Sequence, residues 1–408
     1  MREHADKSPS LQALNWLNFF LADVATGIGP FLAAFLSGRD GWNATRIGLA
    51  LSAASIAGLL VQTPLGIWVD KTVYKRGLLA VAVVLIMVGS IALTLDAGLA
   101  SVITVQTVYG VAGAAIAPAL AAITLGLVGA KAFARTQGRV QAWNHAGNVA
   151  AALAIGAIGK FYGFNGALWF LVALGIAALL ALRGVRDADI DHRAARGANA
   201  DDSSPLPWYA PLANSNLRAL VAAFFLFHFA NAAMLPLAGM KLAGHDAASA
   251  APYMSACVVG AQLVMVPVAA LAGRFSDRYG WKHLLAFGFA VLIVRGILYP
   301  LSDSPIWIVG VQLLDGIGAG LFGVLSLVAV EELTSGSGRF NAAQGLATTF
   351  VGIGASVSTF AAGWVVDRFG YAVGFISLAA VGVAALAVLM IGVHPPRNAA
   401  AHAPATRR

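Results

Sequence analysis

The chain has 408 residues, of which 59% are hydrophobic and only 11% are charged. Soluble globular domains carry about 25% charged residues, so this composition excludes a disordered protein, a coiled coil and nearly all cytosolic enzymes. A single cysteine, Cys257, excludes a disulfide framework and a cysteine-based metal site. The formal charge of +8 does not indicate a nucleic-acid partner, because the basic residues form short clusters between long apolar runs. A polytopic membrane protein is therefore predicted.

Apolar segments of about 20 residues, the length that a membrane-spanning helix needs, recur along the whole chain. We predict twelve, and number them spans 1 to 12: 12–37, 44–69, 77–96, 99–128, 136–161, 163–183, 217–240, 248–274, 281–301, 304–333, 339–366 and 370–393. The alternating pattern of a membrane β-barrel is absent, so these spans are predicted to be helices. No cleavable signal peptide is expected, because span 1 is too long for one.

One long polar stretch, from Gly184 to Ser215, divides the spans into two sets of six. Its charged residues and the pair Pro205 and Pro207 predict a mobile linker. The predicted organisation is a six-helix bundle over 1–183, a cytoplasmic linker over 184–216, a second six-helix bundle over 217–396 and a disordered tail over 397–408. The fold class is thus all-α and integral to the membrane, with twelve transmembrane helices.

The distribution of Lys and Arg predicts the orientation, because cytoplasmic loops are enriched in them. If both termini are cytoplasmic, 20 of the 26 basic residues fall in cytoplasmic segments, five fall outside, and Arg295 lies within a span. We therefore expect a multi-pass protein of a bacterial cytoplasmic (inner) membrane with both termini in the cytoplasm. This asymmetry also explains the positive charge without a nucleic-acid partner.

The two predicted bundles repeat each other at a constant offset of 207 residues. Gly66-x-x-x-Asp70-Lys71 corresponds to Gly273-x-x-x-Asp277-Arg278, Gln137-Gly138 to Gln344-Gly345, Gly113 to Gly320, and Tyr162-Gly163-Phe164 to Phe369-Gly370-Tyr371. Because each copy holds six spans, both copies have the same orientation. This is a parallel repeat related by an axis along the membrane normal, an arrangement found in transporters that rock one half against the other.

These features together resemble the major facilitator superfamily over essentially the whole chain. The residues that carry the resemblance are the loop motifs after spans 2 and 8: Gly66, Asp70 and Lys71 in the first copy, and Gly273, Asp277, Arg278 and Gly280 in the second. The resemblance implies a cytoplasmic gate latch at these residues, whereas a simpler reading makes Asp70 and Asp277 loop anchors at the headgroup level. The first copy has Val73 and Tyr74 where the family prefers glycine and arginine, which predicts a weaker N-terminal latch.

Polar and ionisable residues inside the spans are the candidates for substrate binding and coupling, because such residues are costly in lipid. They are Asn15, Asn18 and Asp23 in span 1; Gln106 and Tyr109 in span 4; Gln141, Asn144, His145 and Asn148 in span 5; His228 and Asn231 in span 7; and Gln312 and Asp315 in span 10. The resemblance implies that spans 1, 4, 7 and 10 line a central cavity, with parts of 2, 5, 8 and 11.

Each candidate has a plainer interpretation. Asn and Gln side chains often only join packed membrane helices. Asp23 and Asp315 are predicted to be counter-charges or proton-binding groups, with a buried neutral acid as the alternative. His145 and His228 are either proton relays or neutral hydrogen-bonding side chains. For Arg295 we expect a structural ion pair with Asp315 or Asp303.

The predicted function is proton-coupled secondary active transport of a small solute by alternating access, with efflux favoured over uptake. No phosphate-binding loop, metal cluster or hydrolase constellation is present, so we predict no enzyme activity, cofactor or metal. The arginine that many proton-coupled members carry in span 4 is absent, so no motif secures coupling. Proton-coupled uptake, transport of a metal chelate and a non-transporting sensor stay open. The expected partners are a small-molecule substrate, protons and the lipid bilayer, for a monomer.

Overall fold

The computed structural model describes residues 8–24, 32, 36, 44–198, 207, 210–245 and 247–394. These residues form almost entirely α-helix. The helices are α1 (Pro9–Val24), α2 (Ala44–Lys71), α3 (Lys75–Leu95), α4 (Leu99–Gly184), α5 (Ser215–Ala232), α6 (Met234–His245), α7 (Ala247–Tyr279), α8 (Trp281–Leu298), α9 (Pro305–Thr334) and α10 (Phe340–Gly392). The disordered tail predicted over 397–408 lies outside the described residues.

Two of these helices contain more than one predicted span. Helix α4 has 86 residues and includes spans 4, 5 and 6; a straight helix of that length would measure about 130 Å, roughly four times the apolar core of a bilayer. It is interrupted at Gly129, whose φ of 66° lies in the left-handed region. Helix α10 includes spans 11 and 12 and is interrupted at Gly370, where φ is 80°.

Among the described residues, nine helical stretches are long and apolar enough to cross a membrane. Each overlaps one or two of the predicted spans 2 to 12; the stretch Leu99–Ile155, for example, covers spans 4 and 5. The all-helical membrane fold is therefore confirmed, while the number of twelve spans stays a prediction. Span 7 is divided between α5 and α6, on either side of Ala233.

Buried apolar side chains form two separate cores. One is built mainly from residues of α1 to α4, such as Leu14, Val83 and Leu171. The other is built mainly from α5 to α10, with Phe224, Phe289 and Phe375 among its fully buried rings. The chain thus has two packed halves, which we call the N-terminal half (α1–α4) and the C-terminal half (α5–α10).

The first part of the predicted linker, residues 185–198, is packed and not free as the sequence indicated. Val185, Ile190 and Ala195 are buried in the N-terminal core. A short turn begins at Asp191, whose carboxylate accepts hydrogen bonds from the backbone N–H of Arg193 and Ala194. These two hydrogen bonds stabilise the turn, since an Asp side chain readily accepts from backbone N–H groups two and three residues later.

Candidate functional site

The two halves meet through glycine contacts that obey the internal repeat. A Cβ atom on Gly66 of α2 would overlap the carbonyl oxygen of Asn341, at the start of α10. Adding 207 to the first position and subtracting it from the second gives the other contact, in which a Cβ on Gly273 would overlap the carbonyl oxygen of Ala134. Both motif glycines therefore permit a backbone approach that no larger residue allows.

A second pair of contacts, one turn away, has the same symmetry. A Cβ on Gly138 would lie 2.6 Å from the carbonyl oxygen of Ala269, and a Cβ on Gly345 would lie 2.7 Å from that of Gln62. Both distances are too short for a real Cβ atom. The repeated motifs of the sequence therefore form part of the surface that joins the halves. We call the end of the molecule that holds Gly66, Ala134, Gly273 and Asn341 the motif face.

Asp70 connects the halves at the motif face. Its carboxylate accepts hydrogen bonds from the backbone N–H of Asn341 at 3.0 Å, from the Asn341 side chain at 2.9 Å and from the backbone N–H of Ala342 at 2.9 Å. These N–H groups begin α10, so an acid is stabilised there by unpaired donors and by the helix dipole. The side chain is 2% exposed.

The second motif copy differs from the first. Asp277 and Arg278 are exposed, and the Arg278 guanidinium lies over the ring of Tyr279. Gly280 has a φ of 78° and precedes α8. The sequence predicted the N-terminal copy to be the weaker one, because of Val73 and Tyr74; the structure gives the first copy the buried carboxylate with three hydrogen bonds. Lys71, the other member of the first copy, is exposed.

A buried polar network occupies the C-terminal half. Arg295 of α8 forms an ion pair with Asp315 of α9 and donates a hydrogen bond from Nη2 to Oδ1 of Asn231, in α5, at 2.5 Å. The Arg295 side chain is 2% exposed and that of Asp315 is 17% exposed. Gln312 donates to the second oxygen of Asp315 at 3.1 Å. Residues from spans 7, 9 and 10 are thereby joined.

Two members of this network were not found from the sequence. The hydroxyl of Tyr299 donates a hydrogen bond to Oε1 of Gln312, and the sulfur of Met234 lies 3.3 Å from Nη2 of Arg295. A tyrosine among the apolar residues that end span 9, just before Pro300, is the signal that could have identified the first. Methionine carried no polar signal.

His228 lies beside this network without a hydrogen bond to it. Its Nδ1 contacts the carbonyl oxygen of Phe224 at 3.3 Å, one turn earlier in α5. Its ring stands edge-on to Phe322, with centroids 4.6 Å apart. Asn231 lies one turn after His228 in span 7, but it accepts its hydrogen bond from Arg295.

The polar residues of span 5, which are Gln141, Asn144, His145 and Asn148, form a stripe that contacts three other spans. Gln141 donates to the carbonyl oxygen of Gly323 in span 10 at 3.2 Å, and Asn144 donates to the carbonyl oxygen of Asn18 in span 1 at 3.3 Å. Nδ1 of His145 and Oε1 of Gln262, in span 8, are 2.8 Å apart. The stripe therefore joins the two halves as well as two helices of one half.

Three further N-terminal candidates, Asn148, Asn15 and Tyr109, divide into two groups. Asn148 lies 3.5 Å from Asn144, too far for a strong hydrogen bond, and the buried Oδ1 of Asn15 has no hydrogen-bond partner among the described residues. Tyr109, by contrast, bonds Ser90 of α3 at 2.8 Å and packs on Gly89. It is a helix-packing residue away from the stripe.

Two sequence candidates cannot be placed in this way. Gln106 is buried in α4, with 4% of its surface exposed, and is not joined to the other candidates. Asp23 belongs to α1, but its side chain lies outside the described part of the structure. Among the residues described, no three His, Cys, Asp or Glu side chains are grouped to hold a metal ion.

Sequence comparison places the chain among transporters. The sequence model of the Major Facilitator Superfamily matches residues 14–293 and 258–407. An uncharacterised MFS-type transporter of Mycobacterium tuberculosis is 45% identical over 386 residues, covering 94% of this chain and 92% of the relative. A protein of Deinococcus radiodurans, named provisionally as a sugar efflux transporter, is 24% identical over 414 residues, covering 94% and 98%.

Solved structures agree on the fold. A crystal structure of the transporter FucP in the outward conformation has a TM-score of 0.74 and 14% identity, covering 94% of this chain and 98% of that one. The human organic anion transporter MFSD10 has a TM-score of 0.73 and 14% identity, covering 94% and 99%. At this identity the likeness describes the fold and not the substrate.

Proposed function

This chain belongs to the major facilitator superfamily, and from that membership we propose that it is a proton-coupled secondary transporter of a small solute, working by alternating access. The proposed location is a bacterial cytoplasmic membrane, with both termini and the motif face toward the cytoplasm. The positive-inside distribution of Lys and Arg supports this orientation.

The observation that carries the coupling proposal is the buried ion pair of Arg295 and Asp315. Removing one charge of a buried pair leaves the other uncompensated, which costs several kcal/mol. A proton on Asp315 therefore leaves the buried Arg295 guanidinium without its counter-charge. The protein relieves this uncompensated charge by rearranging Asn231 and Gln312 or by binding a polar group of the substrate. Either response links proton binding to a change in the site.

The chemistry of the described polar residues favours a hydrogen-bond-rich substrate that is neutral or cationic. While Asp315 is deprotonated it compensates Arg295, so the pair offers no net positive charge to an anion in that state. The stripe of span 5 and the nearby Asn15 and Asn18 supply uncharged amides. The name of the Deinococcus relative agrees with a hydroxyl-rich solute and with efflux. Asp23 of span 1 is the second proposed coupling acid, and it also favours efflux.

Transport by proteoliposomes under an imposed pH gradient tests this function. We would first screen purified protein for thermal stabilisation by polyols, nucleosides, cationic drugs, carboxylates and metal chelates, since a ligand that binds the folded state raises Tm. Transport of the stabilising solute should follow the proton gradient and collapse with a protonophore. Asp315→Asn should abolish gradient-driven transport, while Asp303→Asn, at the exposed carboxylate that pairs with Lys241, should retain it.

The outcomes separate the alternatives. Movement of the solute into the vesicles together with protons, along an inward proton gradient, would identify uptake. Movement of the solute in the direction opposite to the protons would identify efflux. A stabilising ligand that is never transported would favour the sensor. Transport by the unaltered protein that does not depend on the proton gradient would overturn proton coupling. Thermal stabilisation by carboxylates alone would overturn the neutral or cationic substrate class.

A further inference from the structure

The packed part of the linker contacts both halves at the motif face. Its backbone is joined to the N-terminal half by the N–H of Asp191, which donates to the carbonyl oxygen of Gly126 at 3.0 Å. Its other end is joined to the C-terminal half, because the N–H of Gly336 donates to the carbonyl oxygen of Gly197 at 2.7 Å. The segment therefore crosses the interface between the halves, which must open at this face when the halves separate.

Asn341 joins this segment to the motif acid. Its side-chain N–H₂ donates to Asp70 at 2.9 Å and to the carbonyl oxygen of Ala195 at 3.0 Å. Asn341 is fully buried, as is Ala195. An amide has two N–H donors, so a single side chain can hold both acceptors at once. Asn341 thus connects α2, α10 and the linker at one point.

The fit of the segment against its neighbours is close. A Cβ on Gly126 would lie 2.8 Å from a methyl carbon of Ile190 and 3.1 Å from Cβ of Ala195. Gly197, whose φ is 71°, ends the turn with its own Cβ position 3.2 Å from Phe340. A larger side chain would overlap Ile190 at Gly126 and would strain the backbone at Gly197. The segment is therefore packed into the motif face and is not merely tethered to it.

We propose that residues 190–197 are a third component of the cytoplasmic gate, beside the glycine contacts and Asp70. They form a clasp that stabilises the closed motif face, and Asn341 positions this clasp against Asp70. When the halves separate at this face, the contacts of Ala195 with Asn341 and of Gly197 with Gly336 must break. The clasp therefore adds stability to one end state of the transport cycle. This inference rests on alternating access but on neither the substrate nor the coupling ion.

The test uses two variants that release the clasp from opposite sides. A Cβ on Gly126 would meet Ile190 and Ala195, so Gly126→Leu should displace the segment while the residues Asp70 and Asn341 stay unaltered. Asn341→Ala removes the bond to Ala195 together with one side-chain bond to Asp70. The matched control is Asn216→Ala, which also removes side-chain hydrogen bonds but only within the C-terminal half, to His394. Two readouts are made on purified full-length protein, and neither requires a substrate.

The first readout is hydrogen exchange of peptides covering residues 186–198. The second is the distance between spin labels at Tyr74→Cys and Tyr279→Cys, two exposed positions on opposite halves, with Cys257 replaced by serine. Both release variants should raise exchange in 186–198 by at least roughly tenfold and move the label distances to longer values. Asn216→Ala should do neither.

Increased exchange with unchanged label distances in Gly126→Leu would show a packed segment that has no part in the gate, and would overturn the proposal. Unchanged exchange in both variants would overturn the packing on which the proposal depends. If Gly126→Leu fails to fold, Asn341→Ala carries the test, and Asp70→Ala is measured beside it to separate the clasp from the motif acid. If the clasp is lost, hydrogen exchange in 186–198 is higher in Asn341→Ala than in Asp70→Ala.

Discussion

Phe133 and Phe340 pack edge to face, with ring centroids 5.8 Å apart, and they are separated by 207 residues, the offset of the internal repeat. A residue that contacts its own repeat counterpart lies at the axis that relates the two copies. Both rings are buried. The residues that follow them, Ala134 and Asn341, each contact the motif glycine of the other half. The pseudo-twofold axis therefore passes through the motif face between these two phenylalanines.

The close approach at Gly66 predicts the effect of a larger residue there. In Gly66→Val, the added side chain would overlap the backbone of Asn341, so the motif face should no longer close fully and label distances between positions 74 and 279 should lengthen. Gly363→Val is the control, because a Cβ at Gly363 meets no atom within 4 Å. Equal distances in both variants would contradict the role of Gly66.

The two motif acids should not be equivalent. Asp70→Ala removes three buried hydrogen bonds at the start of α10, whereas Asp277→Ala changes an exposed side chain. We expect both variants to shift the protein toward the open motif face, with the larger shift for Asp70→Ala. Labelling of cysteines at the two mouths of the transporter by a membrane-impermeant maleimide measures this. A larger effect from Asp277→Ala would contradict the larger contribution assigned to Asp70.

A double-mutant cycle measures the ion pair of Arg295 and Asp315. Asp315→Asn alone leaves the buried guanidinium uncompensated and should lower stability by roughly 3–5 kcal/mol. Adding Arg295→Gln removes that charge, so the double variant should be more stable than Asp315→Asn alone. Thermal unfolding in detergent gives the comparison. Strict additivity of the two single effects would mean that the charges do not interact. Gradient-driven transport should be lost in all three variants.

Asp23→Asn keeps the shape of the side chain and removes its titratable charge. We expect this variant to fold normally and to lose proton-driven transport, because a neutral amide cannot carry a proton through the cycle. Retained solute exchange without a gradient would place the defect in coupling and not in binding. Full gradient-driven activity would eliminate Asp23 as a coupling acid.

Much of this architecture could be predicted because its signals are local and repeated. Long apolar runs predict membrane helices, and the fixed offset predicted which motifs correspond. The motif glycines were also predictable as close-approach sites, since only glycine allows backbones to meet there. Among the polar residues, Asp315 is one of the two partners that the sequence offered for Arg295, and the structure places it beside Arg295.

The rest depended on contacts between residues that are distant in the chain. Nothing near Asn341 in sequence indicates that it meets Asp70, and the repeat is no guide, because its counterpart is Ala134. Tyr109 has the spacing of a cavity residue, yet Gly89 opens a space for its ring against α3. The packed linker had weak local signals, Asp191 as a turn-forming residue and Gly197 as a helix stop, which its many charges obscured.

The burial of Val185, Ile190 and Ala195 in the N-terminal core also determines where the polypeptide can be divided. Two fragments produced from separate genes, or a fluorescent protein inserted between the halves, should have their junction after Ala198. A cut at Gly184 would transfer these apolar side chains to the wrong fragment, where they would be exposed to water until the two pieces meet. The boundary that matters for engineering is therefore set by packing and lies about fourteen residues beyond the end of the last helix of the first half.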